Sequence, residues 1–290
     1  MSTVLAVINN WPYAERVLAK ARLIARATRG QMHIYCPVSS EFEELNRYFG
    51  FDNYEAVKEA LLEEYRTQLE QLSDEDAQSA EVEWQSRPYR AVAEKAEQLS
   101  AEMIVMAASQ HSALGDFLHK PDDWHLLRDA SCPVLILSGE ERAYHSVVVA
   151  VDALEETEAH ASLNARILDN ARLMAETLKL PLKVLSVVPD PAYIYSDFAA
   201  SDSKAIVAFR SQAEKTTRER QAQILSLYGI HAQQRSVRTG RVEDVLQEAL
   251  TEDGLLVIGT IANKGLKGFF LGNTAERLLR HLEGDMLVVN

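Results

Sequence analysis

Short apolar runs alternate along the chain with longer amphipathic segments. Runs of four to eight residues rich in Val, Ile and Leu are typical of strands buried on both faces of a sheet. They predict strands at 4–8, 32–38, 82–86, 103–108 and 134–137, and again at 147–151, 182–188, 232–237, 255–260 and 286–289. Apolar positions at helical spacing predict helices at 12–28, 54–72, 88–99, 124–130, 163–178, 204–227, 242–250 and 274–281, with a loop or short helix at 41–51 and a polar loop at 73–80.

The same order of strands and helices occurs twice. Residues 21–38 align with 171–188 without a gap at an offset of 150 (171 − 21), and 103–106 align with 255–258 at an offset of 152. Two such registers within one element order indicate a tandem duplication. Alternating strands and helices of these lengths predict a parallel sheet with helices on both faces in each half. We therefore predict an α/β protein with two domains, residues 1–138 and 146–290, joined by a charged linker.

The composition and charge of the chain disfavour some classes of binding partner. A chain of 290 residues that is 47% apolar can bury a sizeable core in each of two domains. Its formal charge of −13 disfavours nonspecific binding to nucleic acid and to anionic membranes, because such binding needs a basic face. No apolar run approaches the roughly 20 residues of a membrane span, and the N-terminus lacks a secretory signal, so we expect a soluble, cytoplasmic protein.

Neither a metal site nor a catalytic constellation is predicted. Cys36 and Cys132 fall in a predicted strand and a strand entry, and we expect buried free thiols at both positions. The eight histidines show no spacing of the HExxH kind. No Ser/His/Asp or Cys/His arrangement can be assembled from spacing, so we do not expect an enzyme.

A glycine-rich segment follows the strand predicted at 255–260 and leads into the helix predicted at 274–281. A helix N-terminus has unpaired amides and a partial positive charge, and glycines before it let the backbone close on an anion. The residues that predict such an anion loop are Gly259, Gly265, Gly268, Gly272, Asn273 and Thr274. The chain lacks the GxxxxGK[ST] motif of P-loop nucleotidases and has no GxGxxG after the first strand of either half.

The two halves resemble tandem universal stress protein domains. The segments PDDWHLLR at 121–128 and LGNTAERLLRHLEGDMLVV at 271–289 carry the resemblance, which extends over essentially the whole chain. It implies two Rossmann-like domains of the adenine nucleotide alpha hydrolase type, each with a five-stranded parallel sheet of order 3-2-1-4-5. It also implies an internal pseudo-dimer in which the strands at 134–137 and 286–289 pair antiparallel.

The resemblance implies a nucleotide pocket only in the branch of the family that binds ATP. That branch carries G-2x-G-9x-G-[ST] after the fourth strand and an aspartate after the first. In the C-terminal half three residues match: Asp152, Gly259 and Gly272. Ala262 and Asn273 depart from the pattern, Val187 stands where the adenine contact would be, and Thr274 begins the helix. An alanine at a position that needs positive φ costs on the order of 1 kcal/mol, and its methyl group obstructs a phosphate.

The N-terminal half departs further from the family pattern. Asn9 replaces the aspartate, Ala107 the first glycine and Gln110 the second, and Lys120 and Pro121 stand where the final glycine and hydroxyl would be. ATP binding is therefore not expected in this half. Long loops inside compact domains are often binding segments, so a cavity beneath the loop at 189–203 could hold an apolar or nucleotide-like ligand. The aromatic residues of this loop are Tyr193, Tyr195 and Phe198, and the alternative is that their rings cap the core.

Three functions follow from these observations. We favour a non-catalytic cytoplasmic protein of stress response or regulation, which is not a strong ATP binder and whose C-terminal domain is open to a small ligand. The first alternative is an adenine-nucleotide-binding protein with weak hydrolysis at the C-terminal domain, with ATP or a nucleotide-like molecule as cofactor. The second is a scaffold that binds protein partners. The sequence does not define an oligomer beyond the internal pseudo-dimer.

Overall fold

The computed structural model describes residues 2–39, 42–72, 77–108, 122–154, 157–190, 204–229, 234–260, 278 and 284–290. The chain forms two compact units, Met1–Leu137 (unit 1) and Ser138–Asn290 (unit 2). In the part of the chain that the structure describes, no helix is both long and apolar enough to cross a membrane.

Unit 1 is built around a parallel sheet. Its strands are β1 (Thr3–Val7), β2 (Gln31–Val38), β3 (Ala77–Trp84), β4 (Met103–Ala107) and β5 (Val134–Leu137). Its helices are α1 (Ala14–Ala27), α2 (Phe42–Phe49), α3 (Tyr54–Leu72), α4 (Pro88–Gln98) and α5 (Asp122–Asp129), and a 3₁₀ turn at Trp11–Tyr13 precedes α1. The strands lie in the order β3-β2-β1-β4-β5, and each neighbouring pair is parallel.

Unit 2 repeats this plan. Its strands are β6 (Ser146–Ala150), β7 (Leu182–Pro189), β8 (Gln234–Gly240), β9 (Gly254–Gly259) and β10 (Asp285–Val289). Its described helices are α6 (Glu158–Leu178), α7 (Lys204–Leu227) and α8 (Val242–Asp253). The strand order is β8-β7-β6-β9-β10, again parallel throughout.

Both units therefore have the predicted order 3-2-1-4-5, which confirms the predicted α/β fold class. The order reverses at the first strand of each unit, and right-handed crossovers then place the helices before and after the reversal on opposite faces. In unit 1, α1 packs on β1 and β4 while α4 lies beside α5. The strands β1, β4 and β5 are buried along their whole length, as their continuous apolar runs predict.

Two elements begin five residues earlier than predicted (82 − 77 and 163 − 158). The predicted loop at 73–80 is wrong from Ala77 onward, because β3 begins there and pairs with β2 through a register shift between Met32 and His33. As the outer strand of its sheet, β3 accommodates polar side chains, and Ser79 Oγ lies 2.7 Å from His33 Nδ1. The helix predicted from 163 begins at Glu158 instead, because Thr157 caps it by accepting a hydrogen bond from the His160 N–H at 3.4 Å.

The segment at 138–145, predicted as a charged linker, packs onto unit 2. Its anchor is Asp285, which is 1% exposed at the start of β10. One carboxylate oxygen accepts from the Ser138 N–H at 3.0 Å, and the other accepts from the Tyr144 hydroxyl. The Tyr144 ring lies so close to Gly254 that an added Cβ there would stand 2.9 Å from Tyr144 Cδ1. The glycine at the start of β9 is thus explained by this close approach and by its φ of +92°.

Candidate functional site

The carboxyl ends of three neighbouring strands in unit 2 bring together part of the predicted ligand site. β6 lies between β7 and β9; Ala150 is level with Leu185 on β7, and Val149 is level with Val257 on β9. Continuing the first register by two residues brings Asp152 level with Val187, and continuing the second by three brings it level with Thr260, directly after β9. In open α/β sheets ligands bind at this edge, where the strand order reverses.

Asp152 stands at the start of a loop whose backbone is fixed by hydrogen bonds. Its exposed side chain accepts from the Leu154 N–H through Oδ1 at 2.9 Å, which forms a turn of the Asx type. Its carbonyl accepts from the buried Asn164 amide on α6 at 3.0 Å, and the Leu154 carbonyl accepts from Arg220 on α7 at 2.9 Å. The Asx turn is a structural reason for an aspartate at position 152 that needs no ligand. Because the Asp152 side chain is also exposed, its contact with a ligand stays a prediction.

A buried polar network lies beneath this loop. Ser186 Oγ on β7 donates to the Val151 carbonyl at 2.8 Å. Gln221 Nε2 on α7 donates to Ser186 Oγ and to the Ser236 carbonyl, both at 3.1 Å. Because satisfied buried networks rigidify their surroundings, this one holds the end of β6 against β7 and α7. Sequence reasoning missed these residues, although a serine within an apolar strand and amides on buried helix faces were visible signals.

Gly259 has a packing explanation that needs no ligand. A Cβ at this position would stand 2.5 Å from Ile167 Cδ1 and 2.8 Å from Leu163 Cδ2 on α6. Only glycine lets the helix lie this close to β9. The next residue, Thr260, is anchored by its N–H to the Val289 carbonyl at 2.8 Å and by its hydroxyl to Asn290 Oδ1 at 2.7 Å. The start of the glycine-rich segment is therefore firmly held.

The rest of the predicted site lies outside the described residues. These positions are Ala262, Gly272, Asn273 and Thr274 of the glycine-rich segment and Tyr193, Tyr195 and Phe198 of the loop at 189–203. Their assignment stays a prediction. The structure thus places Asp152, Val187 and Gly259 on adjacent strand ends and leaves the phosphate-binding part of the prediction to experiment.

The matching edge of unit 1 is bridged by a side chain. Asn9, which replaces the aspartate, donates from Nδ2 to the Ala107 carbonyl at 2.9 Å and accepts from the Ala107 N–H through Oδ1 at 3.1 Å. The amide thereby extends the pairing of β1 with β4 by one residue. An aspartate could not donate to that carbonyl unless it were protonated. Asn9 thus has a structural role in this unit, and because both contacts go to backbone atoms they do not depend on the alanine side chain of residue 107.

The described residues offer no metal centre and no activated thiol. No group of three or more His, Cys, Asp or Glu side chains among them could hold a metal ion. Cys36 and Cys132 are buried free thiols, and burial raises the pKa of each to about 12. Because only the thiolate is a good nucleophile, neither cysteine is reactive at neutral pH.

Known proteins resemble this chain over its full length. The profile of the universal stress protein family matches residues 1–138 and 143–290. Universal stress protein E of Escherichia coli K12 is 23% identical in an alignment 308 residues long, which covers 99% of this chain and 93% of that protein. The universal stress protein E homolog of Haemophilus influenzae is 23% identical over 302 residues, which cover 98% and 96%.

Solved structures agree with these matches. A Pseudomonas aeruginosa UCBPP-PA14 protein assigned to the universal stress proteins superposes with a TM-score of 0.70 at 25% identity, covering 100% of this chain and 93% of that one. A universal stress protein of Archaeoglobus fulgidus shares the fold with a TM-score of 0.63 at 14% identity, covering 99% and 96%. Since the family profile matches both halves and the E-type relatives match along the whole length, the chain belongs to the universal stress protein family as a tandem member of the E type.

Proposed function

We propose that the chain is a non-catalytic, cytoplasmic stress-response protein in which domain 146–290 binds a small anionic or nucleotide-like ligand weakly and domain 1–138 binds none. The observation that carries this proposal is the difference between Asn9 and Asp152. The side-chain amide of Asn9 is hydrogen-bonded to the backbone of Ala107, whereas Asp152 presents an exposed carboxylate on a fixed loop.

The weakness of the proposed site follows from the sequence of the glycine segment. Ala262 stands where the ATP-binding branch carries its second glycine, so its methyl group would obstruct a phosphate, and Asn273 replaces a hydroxyl with a longer amide. An anion would still meet backbone amides and a helix N-terminus there, which favours weak binding. Asp152 and Val187 would meet the remainder of a nucleotide-like molecule at the ends of β6 and β7.

An adenine-nucleotide-binding protein with weak hydrolysis is the second candidate. It is favoured by the rigid presentation of Asp152, since its loop is tied to α6 and α7 by hydrogen bonds at 2.9–3.0 Å. A preorganised carboxylate is well suited to fixing a polar ligand group, because little conformational entropy is lost on binding. A protein-binding scaffold is the third candidate, which is favoured by the exposed aromatic surface of unit 1 described below.

Calorimetric titration with ATP and Mg²⁺ separates the first two candidates. We expect the unmodified protein to bind with a dissociation constant weaker than about 100 μM, or about −5.5 kcal/mol. Ala262→Gly combined with Asn273→Ser should tighten binding about tenfold or more, and adding Asp152→Ala should remove that gain. Asp169→Ala, an exposed aspartate on α6, is the matched control.

Micromolar binding by the unmodified protein would contradict the weak-ligand proposal. A phosphate-release assay on the same samples tests hydrolysis. Turnover that Asp152→Ala abolishes and Asp169→Ala leaves intact would establish the second candidate instead.

A further inference from the structure

Unit 1 exposes aromatic side chains at the end of α2. Tyr48, Phe49 and Phe51, which we call the aromatic patch, are 82%, 70% and 39% exposed. The rings of Phe49 and Phe51 are neighbours, with centroids 6.0 Å apart. Since one aromatic side chain buries 150–250 Å², the patch offers on the order of 400 Å² of exposed surface. The largest apolar patch on a typical monomer has about this size, and such patches are often functional.

The segment that carries the aromatic patch is acidic. Residues 42–72 contain eight acidic and three basic side chains, a net charge of −5, against −13 for all 290 residues. Asp52 and Glu55 follow the patch directly and are exposed. Glu59 and Glu63 continue one exposed face of α3, where Arg66 balances them in part at 2.9 and 3.2 Å. A complementary surface must therefore be apolar and basic.

The corresponding helix of unit 2 has the opposite charge. α7 follows β7 as α2 and α3 follow β2, and its residues 204–227 contain five basic and two acidic side chains, a net charge of +3. Lys204 and Lys215 lie on one exposed side with Val207, which is 53% exposed, and Ala208. Arg218 lies on the same side but is paired with Glu214 at 3.4 Å. Spacings of 3, 4, 7, 11 and 14 residues bring these positions to the same side of a helix. We call this side the basic face.

We propose that the aromatic patch of one copy of this chain binds the basic face of a second copy. Charge complementarity selects this occupant: the exposed Asp52 and Glu55 beside the patch meet the exposed Lys204 and Lys215, and Val207 and Ala208 offer apolar contact to the rings. Patch against patch would oppose two acidic segments. An anionic membrane would be repelled by the same acids.

The strength of the contact depends on salt. The charges are exposed, and the Debye length is about 8 Å at physiological ionic strength and about 3 Å at 1 M salt. The apolar area is small compared with that of stable dimers, so the association is a weak one. Sedimentation equilibrium of the full chain from about 1 to 200 μM tests it. We expect association in the tens of micromolar at 50 mM NaCl and roughly tenfold weaker association at 500 mM.

Paired variants locate the contact. Tyr48→Ser with Phe49→Ser should weaken association at least about tenfold, whereas Leu23→Ser, an apolar residue 41% exposed on α1, should leave it unchanged. Lys204→Glu with Lys215→Glu should weaken it similarly. Arg87→Glu with Arg90→Glu changes the net charge by the same amount elsewhere and is the matched control.

A mixture of the two defective variants gives the decisive result. The Tyr48→Ser, Phe49→Ser chain keeps its basic face, and the Lys204→Glu, Lys215→Glu chain keeps its aromatic patch, so the mixture should associate although neither chain does so alone. Unchanged circular dichroism and melting temperature verify folding. A chain that stays monomeric at 200 μM in low salt overturns the proposal, as does association that ignores salt and both pairs of substitutions.

Discussion

Gly259 and Ala107 occupy matching positions on the fourth strands of the two units, at an offset of 152 (259 − 107). Gly259 lies beneath Ile167 and Leu163 of α6, whose side chains would collide with a Cβ at this position. Ala107 is fully buried in unit 1, where its methyl group is accommodated. A side chain that unit 1 accepts is thus excluded in unit 2 by the close approach of its helix.

Gly259→Ala should therefore destabilise unit 2 through overpacking. We expect the free energy of unfolding to fall by about 1–3 kcal/mol, because the new methyl group collides with Ile167 and Leu163. Adding Ile167→Val should recover part of the loss. Gly240→Ala is the control, since its Cβ would meet a single side-chain atom, Val245 Cγ2, at 3.0 Å. Urea denaturation measures all four chains, and equal losses at the two glycines would contradict the packing explanation.

Asn9→Asp should destabilise unit 1 at neutral pH. The Ala107 carbonyl loses its donor, so we expect a loss of about 1–3 kcal/mol at pH 7. Either form of a carboxyl group can accept from the Ala107 N–H, but only the protonated form can also donate to the Ala107 carbonyl, so we expect its pKa in the folded chain to lie above the unfolded value near 3.9. The deficit should thus shrink as the pH falls through the raised pKa. Urea denaturation at pH 7 and pH 4.5 measures it.

The control for this substitution is Asn170→Asp. That amide also donates to a backbone carbonyl, of Arg166 at 2.9 Å, but in an exposed position. The hydrogen bonds between Asn9 and Ala107 contribute little if Asn9→Asp lowers the free energy of unfolding no more than Asn170→Asp does, or if its effect does not vary with pH.

At the scale of elements, β2 and the neighbouring helix α4 carry groups that folding holds in their protonated form. Burial, reinforced by the Glu83 hydrogen bond at 2.9 Å, raises the pKa of Tyr35, and burial raises the pKa of Cys36 to about 12. Burial lowers the pKa of Lys95, but Glu81 and Glu83 outweigh it and the net pKa is raised. All three groups favour the protonated form in the folded chain.

Stability should therefore decline in alkali. The contribution of each thiol is complete below its unfolded pKa near 9.0 and is lost as the pH rises toward about 12. The expected slope is up to about 1.4 kcal/mol per pH unit for each group. Cys36→Ala with Cys132→Ala should flatten the fall in unfolding free energy between pH 9 and 11. Identical slopes with and without the cysteines would contradict this origin.

The elements themselves were largely predictable, and their ends were not. The chain is almost continuously apolar along β1, β4 and β9, so short apolar runs identified these strands. The start of α6 was missed because Thr157 fixes it through a cap, while residues 158–162 lack a hydrophobic period. At the site, resemblance identified Asp152 and Gly259, but Ser186 and Gln221 act through contacts that only the fold creates.

At the scale of the whole molecule, the position at which unit 2 begins has energetic consequences. Tyr144 and Ser138 satisfy the buried Asp285, so a fragment starting at 146 leaves that carboxylate without two donors. We expect the fragment 138–290 to be more stable than 146–290 by about 2–4 kcal/mol. Urea denaturation compares them, with Tyr144→Phe in the full chain as an intermediate case. Equal stabilities would place the boundary at 146, as the sequence predicts.

The duplication was evident from sequence because residues 21–38 repeat at an offset of 150. The strand order followed from the family resemblance, since periodicity alone does not say which strands are neighbours. The antiparallel pairing of the last strands of the two halves stays a prediction. The proposed salt dependence of self-association also involves both units, because the acidic segment 42–72 lies in unit 1 and the basic segment 204–227 lies in unit 2.

Asn9 offers an amide where unit 2 offers the carboxylate of Asp152, so the proposed function gives each chain a single ligand position. On that proposal, occupancy follows a hyperbola with a Hill coefficient of one within each chain. The bound fraction would then rise gradually with ligand concentration, without a threshold.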